Sequence, residues 1–189
     1  MMTKRTFIAI KIKLDQQVLN YINKIKNALS EENIKWVNPE SLHLTLAFLG
    51  DTMVDSIPEI RNLLQKTSEK HSAFTIDLAH IGTFPPKGNP RVVWIGSENT
   101  NSLMHLQSEI EKSLIEKGLY EADKNFKAHL TLGRVKKINN KNRIHQMVDE
   151  YQHLFFQELK IDSFIYYEST LTPKGPIYTP IEIFKLSKL

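Results

Sequence analysis

The chain has 189 residues and a mass of 21.9 kDa, long enough for one or at most two domains with an ordinary core. It contains no cysteine, so disulfides, thiolate metal sites and thiol nucleophiles are excluded. With 41% hydrophobic residues, 24% charged residues and a net charge of +4, the composition is that of a globular protein, and a pI near 9.1 suits a polyanionic partner without demonstrating one.

The N-terminal segment has no signal-peptide core, because Lys11 and Lys13 interrupt its apolar residues, and no apolar run approaches the roughly 18–20 residues of a membrane span. A cytoplasmic location without membrane attachment is expected. Thr6 to Lys13 alternates as a strand does, and Asp15 to Leu29 switches to helical spacing, with Val18, Leu19, Ile22, Ile25 and Leu29 as its stripe and Asp15 as N-cap. Ser30 to Asn33 reads as a polar joint, Leu42 to Phe48 as a strand closed by Gly50-Asp51, and Ser56 to Lys70 as a helix with Pro58 in its first turn. Phe74 to Ile81 and Arg91 to Ile95 read as strands around the Pro-rich loop Phe84 to Pro90.

A third helix is predicted over Ser102 to Lys117, ended by Gly118, then a strand over Ala128 to Val135, a basic loop and a helix over about Arg143 to Phe155. Strands at Leu159 to Ser169 and Ile177 to Leu186 finish the chain, with Gly175-Pro176 between them. Short turns between many neighbours favour a mostly antiparallel α+β plan over a doubly wound parallel sheet. With no long linker, residues 1–189 read as a single domain.

One tetrapeptide occurs twice, as His43-Leu44-Thr45-Leu46 and His129-Leu130-Thr131-Leu132, 86 positions apart (129 − 43). Side chains two apart on a strand share a face, so Leu42, Leu44 and Leu46 enter the core while His43 and Thr45 project together from the other side. His129 and Thr131 oppose Ala128, Leu130 and Leu132 in the same way. A single copy is an ordinary half-buried strand; an identical pair holds two imidazoles and two hydroxyls on stiff supports across a cleft. The other histidines, at 71, 80, 105, 145 and 153, lack this context.

Two facing imidazoles that titrate near neutrality can act as base and acid at once, one taking a proton from water and the other giving one to a leaving oxygen. That is in-line displacement on a phosphodiester without a metal, with Thr45 and Thr131 on the non-bridging oxygens. Neither repeat carries Asp, Glu or a second His at ligand spacing, so neither a metal nor a cofactor is called for. A symmetric repeat does not say which imidazole is the acid.

The segment Trp36-Val37-Asn38-Pro39-Glu40-Ser41-Leu42-His43-Leu44-Thr45-Leu46-Ala47-Phe48-Leu49-Gly50 resembles the first signature of the two-histidine (2H) phosphoesterase superfamily, in its RNA 2′,3′-cyclic phosphodiesterase branch, historically called 2′-5′ RNA ligases. Phe126-Lys127-Ala128-His129-Leu130-Thr131-Leu132-Gly133-Arg134 is similar to the second signature, with Ala128 where a proline commonly stands. Ile81 to Pro85, Pro90 to Gly96 and Tyr167 to Leu171 followed by Gly175 fit the same branch, so the resemblance spans essentially the whole chain.

The resemblance implies a bilobal, pseudo-twofold α+β fold of two mostly antiparallel sheets with outer helices and a central cleft. It also implies cleavage of a terminal 2′,3′-cyclic phosphate to a 2′-phosphate, with His43 as proton donor to the 3′ oxygen, His129 as acceptor from water, and Thr45, Thr131 and Arg134 on the phosphate. Strict alternation places Arg134 on the leucine face, so contact with the phosphate requires a bulge, which Gly133 makes feasible. Phe48 and Trp94 are candidates for stacking on a terminal base. Lys136, Lys137, Lys141 and Arg143 form a cationic stretch that either tracks RNA or is a solvated loop. The expected partner is RNA or an oligonucleotide with a 2′,3′-cyclic end, with no obligate protein partner. The competing readings are the same site acting on a small cyclic phosphate or 2′-5′ oligonucleotide, including reversible ligation, and a non-catalytic RNA-binding module.

Overall fold

The computed structural model describes residues 2–86, 88–121, 126–173 and 175–187; Lys87 of the Pro-rich loop lies outside the described residues. In chain order the elements are β1 (Thr3–Lys11), α1 (Gln16–Ala28), β2 (Asn33–Trp36), β3 (His43–Met53), α2 (Ile57–Glu69), β4 (Phe74–Phe84), β5 (Val92–Glu98), α3 (Asn101–Ile115), β6 (His129–Lys137), α4 (Lys141–Tyr151), β7 (Phe155–Ile161), β8 (Ser163–Thr172) and β9 (Gly175–Lys185).

The strands pair antiparallel in the order β7-β4-β5-β6-β3-β1-β8-β9, with β2 beside β6. The order repeats itself outward from the middle: β5 flanks β6 as β1 flanks β3, and each flanking strand leads through a helix, α3 or α1, into its motif strand. The helices keep the same symmetry, α1 packing on α4 and α2 on α3. The α+β class and the pseudo-twofold plan are as expected. The two expected sheets are halves of one hydrogen-bonded sheet, joined at the pair Leu44–Leu130. Both leucines are buried, and taking such side chains out of water favours folding by about 1.5–3 kcal/mol each, which holds the motif strands together where backbone pairing is minimal.

Local sequence explains the elements. The Asp15 carboxylate accepts from the Val18 N–H at 2.9 Å and caps α1, a bond worth about 1 kcal/mol. Val18, Ile22 and Ile25 bury one face of α1, and Leu103, Leu106, Ile110 and Leu114 one face of α3. Gly118 ends that region with φ +68°, as a left-handed terminus requires. β1 is buried on both sides: Ile8 and Ile10 join the main core with Leu44, Leu46, Leu130 and Leu132, while Phe7 and Ala9 join a small second cluster with Ile165 and Tyr167.

Four elements depart from the sequence expectation, one of them the helix read to Phe155, which ends at Tyr151 with Phe155 opening β7. Asn33–Trp36 is a strand on β6, although Asn33 and Lys35 are exposed; it is too short and polar to show a pattern. β3 runs past Gly50, whose φ of +70° sits at an irregularity between Thr6 and Phe7 of the partner strand. The segment Leu159 to Ser169 divides at Asp162 into the end of β7, paired with β4, and β8, paired with β1. Among the described residues no helix is long and apolar enough to cross a membrane.

Candidate functional site

The alternation read from the tetrapeptides holds: Leu42, Leu44, Leu46, Leu130 and Leu132 are buried, while His43, Thr45, His129 and Thr131 are partly exposed on the opposite face. The antiparallel pair Leu44–Leu130 sets His43 on the Thr131 side and Thr45 on the His129 side. Both motifs then bulge at the same point. On β3, Thr45 faces Ala9 and Ala47 faces Ile8, leaving Leu46 unpaired; on β6, Thr131 faces Trp94 and Gly133 faces Val93, leaving Leu132 unpaired. An extra residue reverses the alternation beyond it, so Phe48 and Arg134 return to the histidine face. This is the bulge that Arg134 requires.

The two rings are held alike. Nδ1 of His43 donates to the Ser41 carbonyl at 2.8 Å, and Nδ1 of His129 to the Lys127 carbonyl at 2.7 Å. A carbonyl only accepts, so both neutral rings carry hydrogen on Nδ1 and leave Nε2 as the exchangeable nitrogen. Burial holds both pKa values below the usual 6.5; the carbonyl bonds oppose that shift, and the Arg134 charge adds to it. The charge of His129 lowers His43 further, so His43 senses the charge on the second ring. Neither threonine hydroxyl has a hydrogen-bond partner, and Arg134 no carboxylate in ion-pair range, among the described residues.

Aromatic side chains buttress each imidazole. Phe7 and Tyr178 stand with ring centroids 5.1 Å from His43, and Phe84 lies edge-on at 4.9 Å from His129. Trp94 lies 6.4 Å from His129 and packs on Gly82, Phe84 and His80, which makes it a support for the imidazole. Phe48 offers a ring 47% exposed, with the Arg5 guanidinium 4.7 Å from its centroid. Beside it a depression of about 740 Å³ is lined by Thr45, Phe48, Phe84, Tyr120, Phe126 and His129 among others. Among the described residues no three His, Asp or Glu side chains gather as metal ligands would.

The description of the LigT-like phosphoesterase family matches the chain twice, over residues 10–94 and again over 95–178. The chain belongs to this family. The two matches begin at Ile10 and Ile95, which face Leu44 and Leu130 in the register, so the duplication in sequence and the symmetry of the sheet are one fact. A protein of Methanothermobacter thermautotrophicus named RNA 2′,3′-cyclic phosphodiesterase is 32% identical over 98% of this chain and 100% of its own length. One of the same name from Archaeoglobus fulgidus is 36% identical over 96% and 99%. Among solved structures, TT0787 of Thermus thermophilus superposes with a TM-score of 0.80 at 28% identity, covering 97% and 98% of the two chains. E. coli LigT, solved in complex with 3′-AMP, shares the fold with a TM-score of 0.75 at 23% identity over 97% and 98%.

Sequence reasoning missed Phe7, Tyr178, Phe84 and Arg5. Tyr178 touches His43 and senses both Arg134 and Arg5; it arrives from β9 by long-range pairing and has no local signature. The carbonyl anchors had one, since each acceptor lies two residues before its histidine.

Proposed function

We propose that the protein is a metal-independent RNA 2′,3′-cyclic phosphodiesterase that opens a terminal 2′,3′-cyclic phosphate to a 2′-phosphate and a free 3′-hydroxyl. One observation carries the reading: two imidazoles with the same tautomer, each tied through Nδ1 and both under the charge of Arg134, stand on one face of paired strands. Similarity along nearly the whole chain to proteins named RNA 2′,3′-cyclic phosphodiesterase supports it.

In this mechanism water attacks phosphorus opposite the 3′ oxygen. Neutral His129 takes the water proton on Nε2 while protonated His43 gives its Nε2 proton to the 3′ oxygen as the P–O bond breaks. One proton returned through solvent restores the starting pair. The roles follow the order of the two family signatures. Arg134 and the hydroxyls of Thr45 and Thr131 hold the non-bridging oxygens, where charge concentrates in the transition state. Burial disfavours the imidazolium in the free protein, and the bound phosphate anion offsets that cost, so the acid is charged when substrate is present.

Residues 1–189 act as one two-lobed catalytic unit in the cytoplasm, since each half supplies one imidazole. The test is incubation with RNA bearing a 2′,3′-cyclic end, in chelator, for the wild-type protein, His43→Ala and His129→Ala. Wild type yields a 2′-phosphate at full rate and each variant loses turnover; activity retained by either variant, or lost on chelation, overturns the mechanism.

A further inference from the structure

A basic surface begins at Arg134 and leads away from the imidazoles. Lys35 faces Arg134 across the β2–β6 pairing, and the two line a depression with Trp36, Lys136 and Tyr178. At Lys136 it meets a second depression lined by Arg91, Lys136, Lys137 and Lys141. A further bulge allows this: Ile34 faces Val135 and Asn33 faces Lys137, so Lys136 is the unpaired residue, and two adjacent lysines line the same hollow.

These cations are free where others are neutralised. Among the described residues Arg91, Lys35, Lys136, Lys137 and Lys141 have no carboxylate in ion-pair range, whereas Lys4, Arg61, Lys117 and Arg143 are paired with Glu168, Glu182, Glu59 and Glu31. Arg143 therefore leaves the cationic stretch read from the sequence. Two carboxylates of the neighbouring segment are already engaged, Glu31 with Arg143 and Glu32 with the backbone N–H groups of Asn139 and Asn140. The opposite arm of the site differs: it is aromatic, Glu121 and Lys127 there cancel in charge, and its Arg5 guanidinium lies over the Phe48 ring.

We infer that the RNA chain 5′ of the cyclic end leaves the imidazoles over the basic arm, so that the protein takes a single-stranded polynucleotide in preference to a cyclic mononucleotide. The inference rests on the proposed function for its substrate end. Arg134 and Lys136 line one depression, and Lys136 and Lys141 line the next, so the cations form a continuous row along which successive phosphates of a single strand can lie. Neutralising phosphates with lysines releases counterions and makes binding salt-dependent.

The test compares wild type with Lys35→Gln/Lys136→Gln/Lys141→Gln in two assays. In the first, kcat/KM is measured on adenosine 2′,3′-cyclic phosphate and on a decaribonucleotide with the same end. The triple variant loses about tenfold on the decamer and nothing on the mononucleotide, because lost phosphate contacts weaken only the polymer. In the second, fluorescence anisotropy follows a decaribonucleotide with a plain 3′-hydroxyl, which has no bond to cleave. Its binding weakens in the variant, and its log–log salt slope flattens by about 0.7 for each contact removed. Unchanged decamer binding, or equal loss on both cyclic substrates, overturns the inference. If wild type opens neither cyclic phosphate while the anisotropy difference is seen, the proposed activity fails and the basic track stands.

Discussion

Leu44 lies opposite Leu130, and through this pair the two histidine-bearing strands meet. The contact places each imidazole beside the hydroxyl of the other half, so neither half forms a site by itself. Beyond it the strands part: β6 takes β2 as its neighbour, with Trp36 facing Gly133, and β3 stays with β1. The parting gives the site two arms of different chemistry.

Leu130→Ala removes a fully buried side chain from this junction and is expected to cost about 2–5 kcal/mol. Urea denaturation measures it, with Leu171→Ala, 67% exposed, as the control that changes little. Equal effects at the two positions would mean that the junction is not packed as described.

Removing the charge at Arg134 shifts the pH profile upward. Burial first, and Arg134 with it, holds both imidazoles below 6.5, so both limbs of kcat/KM for the wild-type protein fall below that value, while the alkaline limb of kcat lies higher because bound phosphate favours the imidazolium. In Arg134→Gln the imidazolium forms are less opposed and both limbs rise. The maximal kcat drops about 10²–10³-fold with the lost transition-state contact. A profile that keeps its position while the rate falls would detach Arg134 from the imidazoles.

A sulfur leaving atom separates the two histidine roles. A thiolate departs without help from a general acid, so a cyclic substrate with 3′-sulfur restores turnover to His43→Ala by about 10²-fold or more and gives His129→Ala nothing. Rescue of the His129 variant instead would reverse the assignment.

Gly82→Ala tests the support beneath His129. A Cβ there would lie 2.2 Å from ring atoms of Trp94, so the indole must move and the imidazole beside it loses its seat. A misplacement on the order of 1 Å lowers kcat about 10²-fold, with KM little changed, and adding Trp94→Phe relieves the crowding and recovers part of the loss. Steady-state kinetics on the three proteins decide it.

The motif strands were legible because half-buried strands write their geometry as alternation: Leu42, Leu44 and Leu46 against His43 and Thr45. The caps at Asp15 and Gly118 were legible for equally local reasons. What the chain hides is pairing at a distance. Asp162 gives no sign that the residues on either side of it join different strands, and Asn33–Trp36 looks like a joint until Lys35 is seen opposite Arg134. Alternation alone sends Arg134 to the wrong face, and only the register shows the bulge at Leu132 that returns it.

The matched bulges at Leu46 and Leu132 make Phe48 and Arg134 occupants of the same place in two copies of one design. In a dimer of half-length chains related by twofold symmetry, that place would hold two phenylalanines or two arginines. Joining both copies in one polypeptide frees the places to diverge, and a cation on one flank with an aromatic ring on the other gives an otherwise even-handed scaffold a left and a right.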